Sequence, residues 1–469
     1  MEDAKRYFSA LENLSSCDGR HILKTSLLCG YFSEFALHKY RVLVELKHLL
    51  KLSEVLHFPL NKEILNIHAS FSQADAEAIA AYDHFGRNGI VPVEHDMKAV
   101  ELFLREKLPE NVHPWIHFGL TSEDVNNIAY TCMIRDALQD VWVPSLLTLC
   151  ASLKKLTLDY KDAPLLSRTH GQPASPTTFG KEMAVFLHRF CCEVKELREI
   201  KLSAKLNGSV GNYHAFVAAN IPDIDWIAYS QSFVESFGFE CELLTNQRGP
   251  KNRLIQLFQT LIRVNNILKD LDIDIWLYIK NGLLLQKPTE SHVGSSVMPH
   301  KINPWFVESS EGNCELSNAL LELFCREIDV SRLQRDLSDS NLERNYGLAF
   351  GYSLIALKYT NAFLQKVHVD TENMLAELHC HPEVLAEAYQ TLLRMKGNAH
   401  AYELFKEFFR RNKSWSTEEI QKFIETLAVD EATKQQLKAL QVETYIGNAS
   451  LLVDIALQEF ETLEVRLHV

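Results

Sequence analysis

A long run of regularly spaced apolar residues in the middle of the chain places the strongest limit on its fold. From Leu254 to Tyr278, apolar side chains recur at alternating intervals of three and four residues. This spacing is typical of a helix that packs along one seam inside a bundle. Similar amphipathic stretches run over residues 124–160, 181–204, 308–325 and 341–367. Period-two alternation is scarce, so the sequence predicts an all-α fold around a central bundle of long helices.

The chain is long enough for several domains, and turn-rich breaks indicate where they divide. Boundaries near residues 117 and 367 would place the long helices in one central domain. We therefore predict an N-terminal helical domain over residues 1–117, a central long-helix bundle over 118–366 and a C-terminal helical domain over 367–469. Helices of this length expose a seam, which copies of the same chain can cover in a symmetric oligomer.

Charge and composition exclude several classes of protein. The net charge of the 469 residues is −13, whereas nucleic-acid and anionic-membrane surfaces require a basic patch. The chain starts with charged residues, and no uncharged stretch reaches the roughly 18 residues of a membrane span, which predicts a cytoplasmic protein. The ten cysteines form no paired CxxC units, and His379-Cys380-His381 is interpreted as a surface turn rather than a metal site.

A polar loop bounded by Gly and Pro follows the long seam helix, over residues 294–304. It contains Ser295, Lys301 and Asn303, residue types that do not pack a core. By composition alone, a solvated connector is the ordinary interpretation. The alternative is an active-site flap, because loops on rigid scaffolds carry function.

A histidine stands in a second polar loop, over residues 167–176. His170 is followed by Gly171, and Pro173 comes two residues later. This setting predicts a side chain that extends from the loop to make a functional contact and does not pack in a core. Because imidazole titrates near neutral pH, His170 is a candidate general acid or base, although a lone histidine is more often structural.

Two further polar groups lie upstream. Glu94 and Asp96 flank His95 and are suited to orient it or to hold it protonated; a helix-start role for Asp96 is the competing explanation. The run over residues 121–124, Thr-Ser-Glu-Asp, has the pattern of a helix N-terminal cap. The hydroxyls and backbone N–H groups of such a cap can also bind an anion.

Residues 331–345 hold three arginines among acidic and hydroxyl side chains. Arg332 is interpreted as a surface ion-pair partner. Arg335, Ser340 and Arg344 stand at a break before a helix, where guanidinium groups and a helix N-terminus can bind a phosphate together. The short turn around Arg20 offers one more arginine.

The loop over residues 294–304 resembles the GSSxMPxKxN signature of the fumarase/aspartase superfamily. With the motifs around Arg20, His95 and His170 and the segment 331–345, the chain resembles the longer bacterial type of the adenylosuccinate lyase family nearly from end to end. The resemblance implies a three-domain all-α fold and a homotetramer whose active sites each combine three subunits. It also implies elimination of fumarate from succinylated purine nucleotides without a metal or organic cofactor.

The resemblance further implies a role for each motif. Ser295 is the general base, and His170 is the general acid that protonates the departing nitrogen. Lys301 stabilises the developing negative charge, Asn303 binds a succinyl carboxylate, and His95 positions the substrate or tunes His170. The other positions expected to contact substrate are Arg20, His21, Glu94, Asp96, Thr121, Ser122, Gln247, Arg335, Ser340 and Arg344.

Three positions depart from the family's pattern. His21 stands where Tyr is common, Glu94 stands where a neutral residue is usual, and residues 248–252 are more basic than related long-type sequences. Two rival interpretations also stay open. One is another lyase of the superfamily, acting on argininosuccinate, aspartate or a carboxymuconate, which would not need a phosphate site. The other is a non-catalytic scaffolding protein.

Overall fold

The computed structural model of the chain describes residues 2–286, 298, 301–410 and 415–465, and most of these residues are helical. In chain order the α-helices are α1 Glu2–Ser9, α2 Ile22–Thr25, α3 Cys29–Phe32, α4 Glu34–Leu56, α5 Asn66–Ala69, α6 Gln73–His84, α7 Asp96–Lys107, α8 Ser122–Ala137, α9 Val143–Asp159, α10 Phe179–Glu199, α11 His214–Ala218, α12 Trp226–Glu235, α13 Asn252–Lys280, α14 Trp305–Glu327, α15 Ser338–Glu343, α16 Tyr346–Leu364, α17 Thr371–His379, α18 Ala386–Met395, α19 Ala401–Phe409, α20 Thr417–Glu425, α21 Glu431–Lys438 and α22 Ala449–Val465. Short 3-10 segments cover Ser26–Leu28, Lys62–Leu65, Glu110–Trp115 and Pro382–Leu385, and a π-helical segment over Leu138–Trp142 joins α8 to α9.

The strands are short and pair only in twos within the described ranges. They are β1 Pro164–Leu165, β2 Arg168–Thr169, β3 Gln172–Pro173, β4 Thr177–Thr178, β5 Ser203–Ala204, β6 Glu240–Cys241, β7 Leu284–Gln286 and β8 Val367–Val369. Antiparallel pairs join β1 to β4, β2 to β3 and β7 to β8, while β5 and β6 are parallel. The predicted all-α class is confirmed.

The predicted long helices are present, with two wrong boundaries. The seam helix expected from Leu254 to Tyr278 is α13. The stretch 181–204 ends early, at Glu199, because residues 203–204 pair with β6 as β5. The stretch 341–367 is interrupted between α15 and α16 and ends at Leu364.

The chain divides into two compact units. Unit 1 comprises Met1–Leu146, Glu196–Asn266 and Gly312–Lys358, and unit 2 comprises Leu147–Lys195, Ile267–Glu311 and Tyr359–Val469. The unit boundaries fall inside the long helices α9, α10, α13, α14 and α16. The three-domain division at residues 117 and 367 stays a prediction.

The N-terminal part of unit 1 is built on α4, whose apolar side packs against α6 and α7. Val42, Leu46 and Leu49 recur at helical spacing along α4 and are buried with Ile79 of α6 and Phe103 of α7. Burial of an apolar side chain of this size contributes roughly 1.5–3 kcal/mol. This cluster fixes α7, whose N-terminus carries His95 as the N-cap and Asp96 as the first helical residue.

A second face of α4 carries buried polar side chains at intervals of three and four residues, which we term the polar stripe of α4: His38, Arg41, Glu45 and His48. Arg41 Nε donates to Asn126 Oδ1 in α8 at 2.8 Å. A carboxylate oxygen of Glu45 lies 2.5 Å from His117 Nδ1. The stripe therefore fixes both α8 and the segment that precedes it.

In unit 2, helices α17 to α21 enclose a separate apolar core. Leu385, Tyr389 and Leu393 are spaced by four residues, and all are buried in this core. Ile420 and Ile424 repeat the same spacing in α20. One buried face on each helix is the packing that amphipathic helices require.

Among the residues that the structure describes, one helical run meets the length and composition criteria for a membrane span, from Ser122 to Asp159. Its apolar character is weak evidence, because the core helix of a soluble protein meets the same criteria. Its first half belongs to the core of unit 1: Val125, Ile128, Ala129 and Ile134 are all fully buried.

Candidate active site

A cleft in unit 1, which we term the unit 1 cleft, collects most of the residues predicted to bind substrate. Its volume is about 610 Å³, and small-molecule sites usually enclose roughly 300–1,000 Å³. The predicted residues that line it are Glu94, His95, Asp96, Thr121, Ser122, Gln247, Arg335, Ser340 and Arg344. Four separate segments of the sequence therefore meet at one place.

His95 begins α7 as its N-cap. Its backbone is extended, and its Nδ1 accepts a hydrogen bond from the backbone N–H of Lys98 at 3.2 Å. Because Nδ1 is the acceptor, the neutral ring carries its proton on Nε2, which remains a donor. Asp96 is the first helical residue of α7, as the competing helix-start explanation predicted, while the N-cap itself is His95.

Asp96 is held by two arginines. Its Oδ2 accepts hydrogen bonds from Arg41 Nη2 at 2.7 Å and from Arg344 Nη2 at 2.8 Å. Burial alone would raise the pKa of Asp96, but the two guanidinium groups outweigh burial and lower it. Asp96 is therefore a carboxylate that ties α7 to α4 and to the residue after α15. Arg344 also bonds Glu34.

The N-terminus of α8 opens into the unit 1 cleft. Thr121 is its N-cap and forms a capping box with Asp124, whose Oδ2 accepts the Thr121 N–H at 2.9 Å. The predicted helix cap is confirmed. Gly119 makes the preceding turn at φ +73°, and an added Cβ there would lie 2.4 Å from the Phe216 ring. Only glycine fits this approach, and the turn places Thr121 and Ser122 on the cleft.

Arg335 enters the unit 1 cleft from the segment before α15. Its side chain is 15% exposed, and its Nη1 donates to Asp339 Oδ2 at 3.0 Å. Its buried Nε has no hydrogen-bond partner among the residues that the structure describes. Arg332 is 85% exposed and pairs with Asp336 at 3.6 Å, which confirms the surface interpretation for Arg332.

A set of opposed charges lies in the wall of the cleft and beneath it, and we term it the buried charge layer. It consists of four cations, Lys205, Arg248, Lys251 and Arg335, and four carboxylates, Glu123, Asp124, Asp339 and Glu343. The closest pairs are Lys205 with Asp124 at 2.8 Å, Arg248 with Asp339 at 2.9 Å and Lys251 with Glu343 at 3.0 Å.

The buried charge layer explains the unusually basic segment 248–252. Arg248 and Lys251 point inward, are at most 9% exposed and neutralise Asp339 and Glu343. Buried charges persist when they are paired and hydrogen-bonded, because an isolated buried charge is very costly. These two basic residues therefore support the cleft from below and do not line its rim.

Glu123 is the exception within this layer. Burial raises its pKa to about 7 with help from the neighbouring Glu343 carboxylate, while Lys251 and Arg335 act in the opposite direction. Its Oε2 lies 3.5 Å from Arg335 Nη2, and its Oε1 lies 3.8 Å from Lys251 Nζ. Both distances exceed those of ordinary charge-assisted hydrogen bonds.

His170 lies in unit 2, at the tip of a tight hairpin formed by β2 and β3. Arg168 pairs with Pro173 and Thr169 with Gln172, so His170 and Gly171 are the two loop residues. Their φ angles of +55° and +73° are those of a type I′ turn. The His170 side chain is exposed, as expected for a histidine held for reach rather than for packing.

The predicted flap is described only in part. Ser295 lies outside the described residues. Lys301 is exposed, and its backbone N–H donates to the Met298 carbonyl at 3.1 Å. Asn303 is partly buried just before α14. These residues belong to unit 2.

Two predicted substrate contacts near the N-terminus, Arg20 and His21, are also absent from the residues that line the unit 1 cleft. Arg20 is exposed in the turn before α2, and His21 is the N-cap of α2. Burial, with Lys24 and Arg20 nearby, lowers the pKa of His21. The roles of Arg20 and His21 stay predictions.

Sequence reasoning missed several residues that line the cleft, among them Arg41, Glu123, Asn126, Tyr130 and Glu343. Arg41 belongs to the polar stripe of α4, whose helical spacing can be read in the sequence, although α4 also carries polar residues outside the stripe, such as Lys39 and Lys47. Glu123 stood within the recognised cap pattern, which explained it as part of a helix start. Glu343 gave no comparable signal, since an acidic residue next to arginines is ordinary on a surface.

One group in the described part of the chain has the donor atoms of a metal site: His188, Cys192 and Glu459 in unit 2. Glu459 already bonds His188 Nδ1 and Lys195. An ion-pair link between α10 and α22 accounts for the group. The suspected cluster around Cys380 is a helix end, where His379 pairs with Glu443, as the surface interpretation predicted.

Comparison with known proteins places these features in a family. Residues 38–315 match the family model described as "Lyase", and residues 331–446 match "Adenylosuccinate lyase C-terminal". The adenylosuccinate lyase of Escherichia coli strain K12 is 42% identical over 459 residues, which cover 95% of this chain and 99% of that protein. That of Legionella pneumophila strain Corby is 41% identical over 458 residues, with coverages of 95% and 98%.

Solved structures with lower identity share the fold. A fumarate lyase from Mesorhizobium has a TM-score of 0.75 at 18% identity and covers 92% of this chain and 97% of its own. The 3-carboxy-cis,cis-muconate lactonizing enzyme from Pseudomonas putida has a TM-score of 0.72 at 21% identity, with coverages of 95% and 98%. The chain is a lyase enzyme with the mostly helical fold of the fumarase/aspartase superfamily, and it belongs to the adenylosuccinate lyase family.

Proposed function

We propose that this enzyme eliminates fumarate from two succinylated purine nucleotides. It converts adenylosuccinate to AMP, and it converts the succinylaminoimidazole carboxamide ribotide to the aminoimidazole carboxamide ribotide. The observation that carries the proposal is the unit 1 cleft, in which arginine side chains, hydroxyl groups and the N-terminus of α8 face the same space. The curated relatives, about two-fifths identical along nearly the whole chain, are named adenylosuccinate lyase, which supports the first of these two reactions.

The phosphate group of the nucleotide is assigned to the side of the cleft formed by Arg335, Ser340 and Arg344. Guanidinium groups bind phosphate oxygens with two parallel hydrogen bonds and a full positive charge. Arg335 has a buried N–H without a described partner, which a phosphate oxygen can accept. Arg20 is proposed as a further phosphate ligand from the turn before α2.

Asp96, Thr121, Ser122 and Gln247 are assigned to the rest of the substrate. The hydroxyls of Thr121 and Ser122 and the N–H groups of α8 suit a carboxylate, because a helix N-terminus carries partial positive charge. Gln247 Nε2 donates to the Ser209 carbonyl at 3.0 Å, which fixes its amide beside the cleft. Glu94, at φ +48°, and His21 are assigned to substrate contact only because their positions match those of family contacts, although the two residue types depart from the family's pattern.

The chemistry requires a base, an acid and a cation. Ser295 is proposed to remove a proton from the carbon next to a succinyl carboxylate, and Lys301 stabilises the negative charge that spreads onto that carboxylate. Asn303 binds a succinyl carboxylate. As the carbon–nitrogen bond breaks, His170 gives a proton to the departing nitrogen and the new double bond completes fumarate. His95 positions the substrate through its Nε2–H.

A serine hydroxyl is a weak base, so the proposed step needs a site closed to water. We propose that the positive charge of Lys301 lowers the free-energy cost of the serine alkoxide. No metal or organic cofactor takes part in the proposed reaction.

We also propose a cytoplasmic homotetramer in which each active site is shared between subunits. Ile273, Trp276 and Leu277 of α13 are each about two-fifths exposed and recur at helical spacing, as expected for a face that another copy covers. The predicted three-domain division belongs to this proposal. A net charge of −13 supports a small-molecule substrate rather than a nucleic-acid or membrane partner.

A spectrophotometric assay tests the function. Purified protein given adenylosuccinate should lose the ultraviolet absorbance of the substrate as AMP and fumarate form, whereas argininosuccinate and aspartate should stay unchanged. Turnover of either control compound instead of adenylosuccinate would refute the proposal.

The base assignment has its own test. Ser295→Ala should bind adenylosuccinate without converting it. An active Ser295→Ala enzyme would refute Ser295 as the general base and would leave the proposed substrate unchanged.

A further inference from the structure

Glu123 is a buried carboxyl group at the unit 1 cleft whose oxygens accept no hydrogen bond from the described residues. It lies in the first turn of α8 and is only 2% exposed. Buried carboxylates are normally hydrogen-bonded, because an unsatisfied ionised oxygen loses hydration without compensation. The nearest cations, Arg335 and Lys251, stand off at 3.5 and 3.8 Å.

The other carboxylates of the buried charge layer are bonded far more tightly. Asp124 accepts from Lys205 Nζ and from the backbone N–H groups of Thr121, Asn207 and Gly208. Protonation of Asp124 would remove an acceptor and break hydrogen bonds that are strong because the acceptor is charged.

The carboxylates of Asp339 and Glu343 also accept hydrogen bonds already. Asp339 accepts from Arg248, Arg335 and the Ser340 backbone N–H, and Glu343 accepts from Lys251 at 3.0 Å. Glu123 has no such bonds to lose. It is therefore the carboxylate of the layer that takes up a proton at the lowest free-energy cost.

A bound phosphate would disturb the charge balance of this layer. Its four cations match its four carboxylates when Glu123 is ionised, so the layer by itself carries no net charge. At the rim, Arg344 already pairs with Asp96 and Glu34. A phosphate dianion at Arg335 adds negative charge without adding a cation, and repulsion between like charges is strong away from water.

We propose that Glu123 is a positioning residue of the phosphate site that exchanges its charge with the ligand. As a carboxylate it holds the Arg335 guanidinium in the empty cleft, and it takes up a proton when the phosphate group of the nucleotide binds there. Arg335 is then released from one of its acidic neighbours and faces the phosphate. This inference rests on the proposed function, because it requires a phosphorylated ligand at Arg335.

The direction of the pH effect follows from the groups around Glu123. Burial and Glu343 raise the pKa of Glu123, and Lys251, Arg335 and Lys205 lower it, which leaves it near neutrality. A phosphate raises this pKa further. Nucleotide affinity is therefore highest below the pKa of the empty site and falls as pH rises through it, by up to about tenfold per pH unit, the limit for one linked proton.

Calorimetric titration of the full-length wild-type enzyme with AMP at pH 7.5 provides the test. The titration is run in two buffers of different ionisation enthalpy, and the difference in apparent binding enthalpy gives the number of protons taken up. The second pKa of a phosphate monoester is about 6, so the ligand contributes little to proton uptake at this pH. We expect uptake of a substantial fraction of one proton per AMP bound, and none on binding of adenosine.

Glu123→Gln is the matched variant, since glutamine has the shape of the protonated side chain and cannot titrate. It should bind AMP without the extra proton uptake, and its AMP affinity should no longer fall above pH 7. Equal uptake by the two proteins would overturn the inference alone. Failure of the wild-type enzyme to bind AMP would refute the proposed function, and this inference with it.

Infrared difference spectroscopy of the wild-type enzyme keeps the test independent of any substitution. Addition of AMP should produce the carbonyl band of a protonated carboxyl group. If no such band appears while AMP is bound, Glu123 remains ionised and the inference fails.

Discussion

Replacement of Arg335 with alanine tests the phosphate assignment most directly. The Arg335 side chain is 15% exposed and already bonds Asp339, while its buried Nε has no partner among the residues described. A hydrogen bond to a charged group contributes about 1.5–3 kcal/mol, so one or two such bonds to phosphate contribute roughly 3 kcal/mol. Since about 1.4 kcal/mol corresponds to a factor of ten, Arg335→Ala should lower kcat/KM by two orders of magnitude or more.

Arg332→Ala is the matched control, because Arg332 lies three residues away in the same segment. It is 85% exposed and pairs only loosely with Asp336, at 3.6 Å. An exposed ion pair contributes about 0–1 kcal/mol, so this variant should keep kcat/KM within a few fold of wild type. Comparison of the two variants removes the general effect of taking one positive charge from this segment.

The assay measures initial rates with adenylosuccinate, and thermal unfolding of each variant separates lost chemistry from lost folding. A folded Arg335→Ala enzyme within about threefold of wild type would refute the phosphate assignment. That result would favour another lyase of the superfamily, whose substrate lacks a phosphate.

Three further predictions concern single side chains. His170→Asn should abolish turnover and leave the melting temperature unchanged or higher, because asparagine is favoured at this turn position and cannot act as an acid. Burial alone would lower the pKa of His117, but the Glu45 carboxylate raises it. The pair therefore stabilises the fold fully below about pH 6.5, and this stabilisation is lost as pH rises through the raised pKa. His117→Gln should accordingly reduce the fall in melting temperature above about pH 6.5. Lys205→Met should lower the free energy of unfolding by about 3–5 kcal/mol in urea titrations, because it leaves Asp124 buried without its cation.

Each of these has a contrary outcome. An active His170→Asn enzyme would remove His170 from the chemistry. Identical pH profiles for wild type and His117→Gln would show that the contact with Glu45 does not set the pKa. Lys201→Met, at a lysine 75% exposed, is the control for Lys205→Met, and equal effects of the two would contradict the buried pair.

Much of the helical scaffold was predictable because its signal is periodic. The seam of α13 repeats over many turns, so its position follows from local spacing alone. The helix boundaries that were predicted wrongly lie where contacts with residues distant in the sequence determine the local structure. Residues 203–204 are drawn from a helical pattern into pairing with β6, and α15 ends without the glycine or proline that would mark a break.

The polar motifs that line the cleft were predictable from the sequence, but the buried charge layer was not. Histidine, hydroxyl and arginine side chains in loops stand out against an apolar background, which is why His95, Thr121 and Arg335 were found. Lys205 and Glu343 look like ordinary surface residues in the sequence. Their burial depends on partners 81 and 92 positions away, Asp124 and Lys251, and no local pattern encodes that pairing.

The buried charge layer also limits how this sequence can change during evolution. Loss of one member leaves an opposite charge buried without compensation, whereas loss of both members of a pair is often tolerated. Arg248 and Asp339 should therefore be exchanged together among relatives, as should Lys251 and Glu343. The basic segment 248–252 is therefore tied to α15, because each of its two buried cations neutralises one buried carboxylate of that helix.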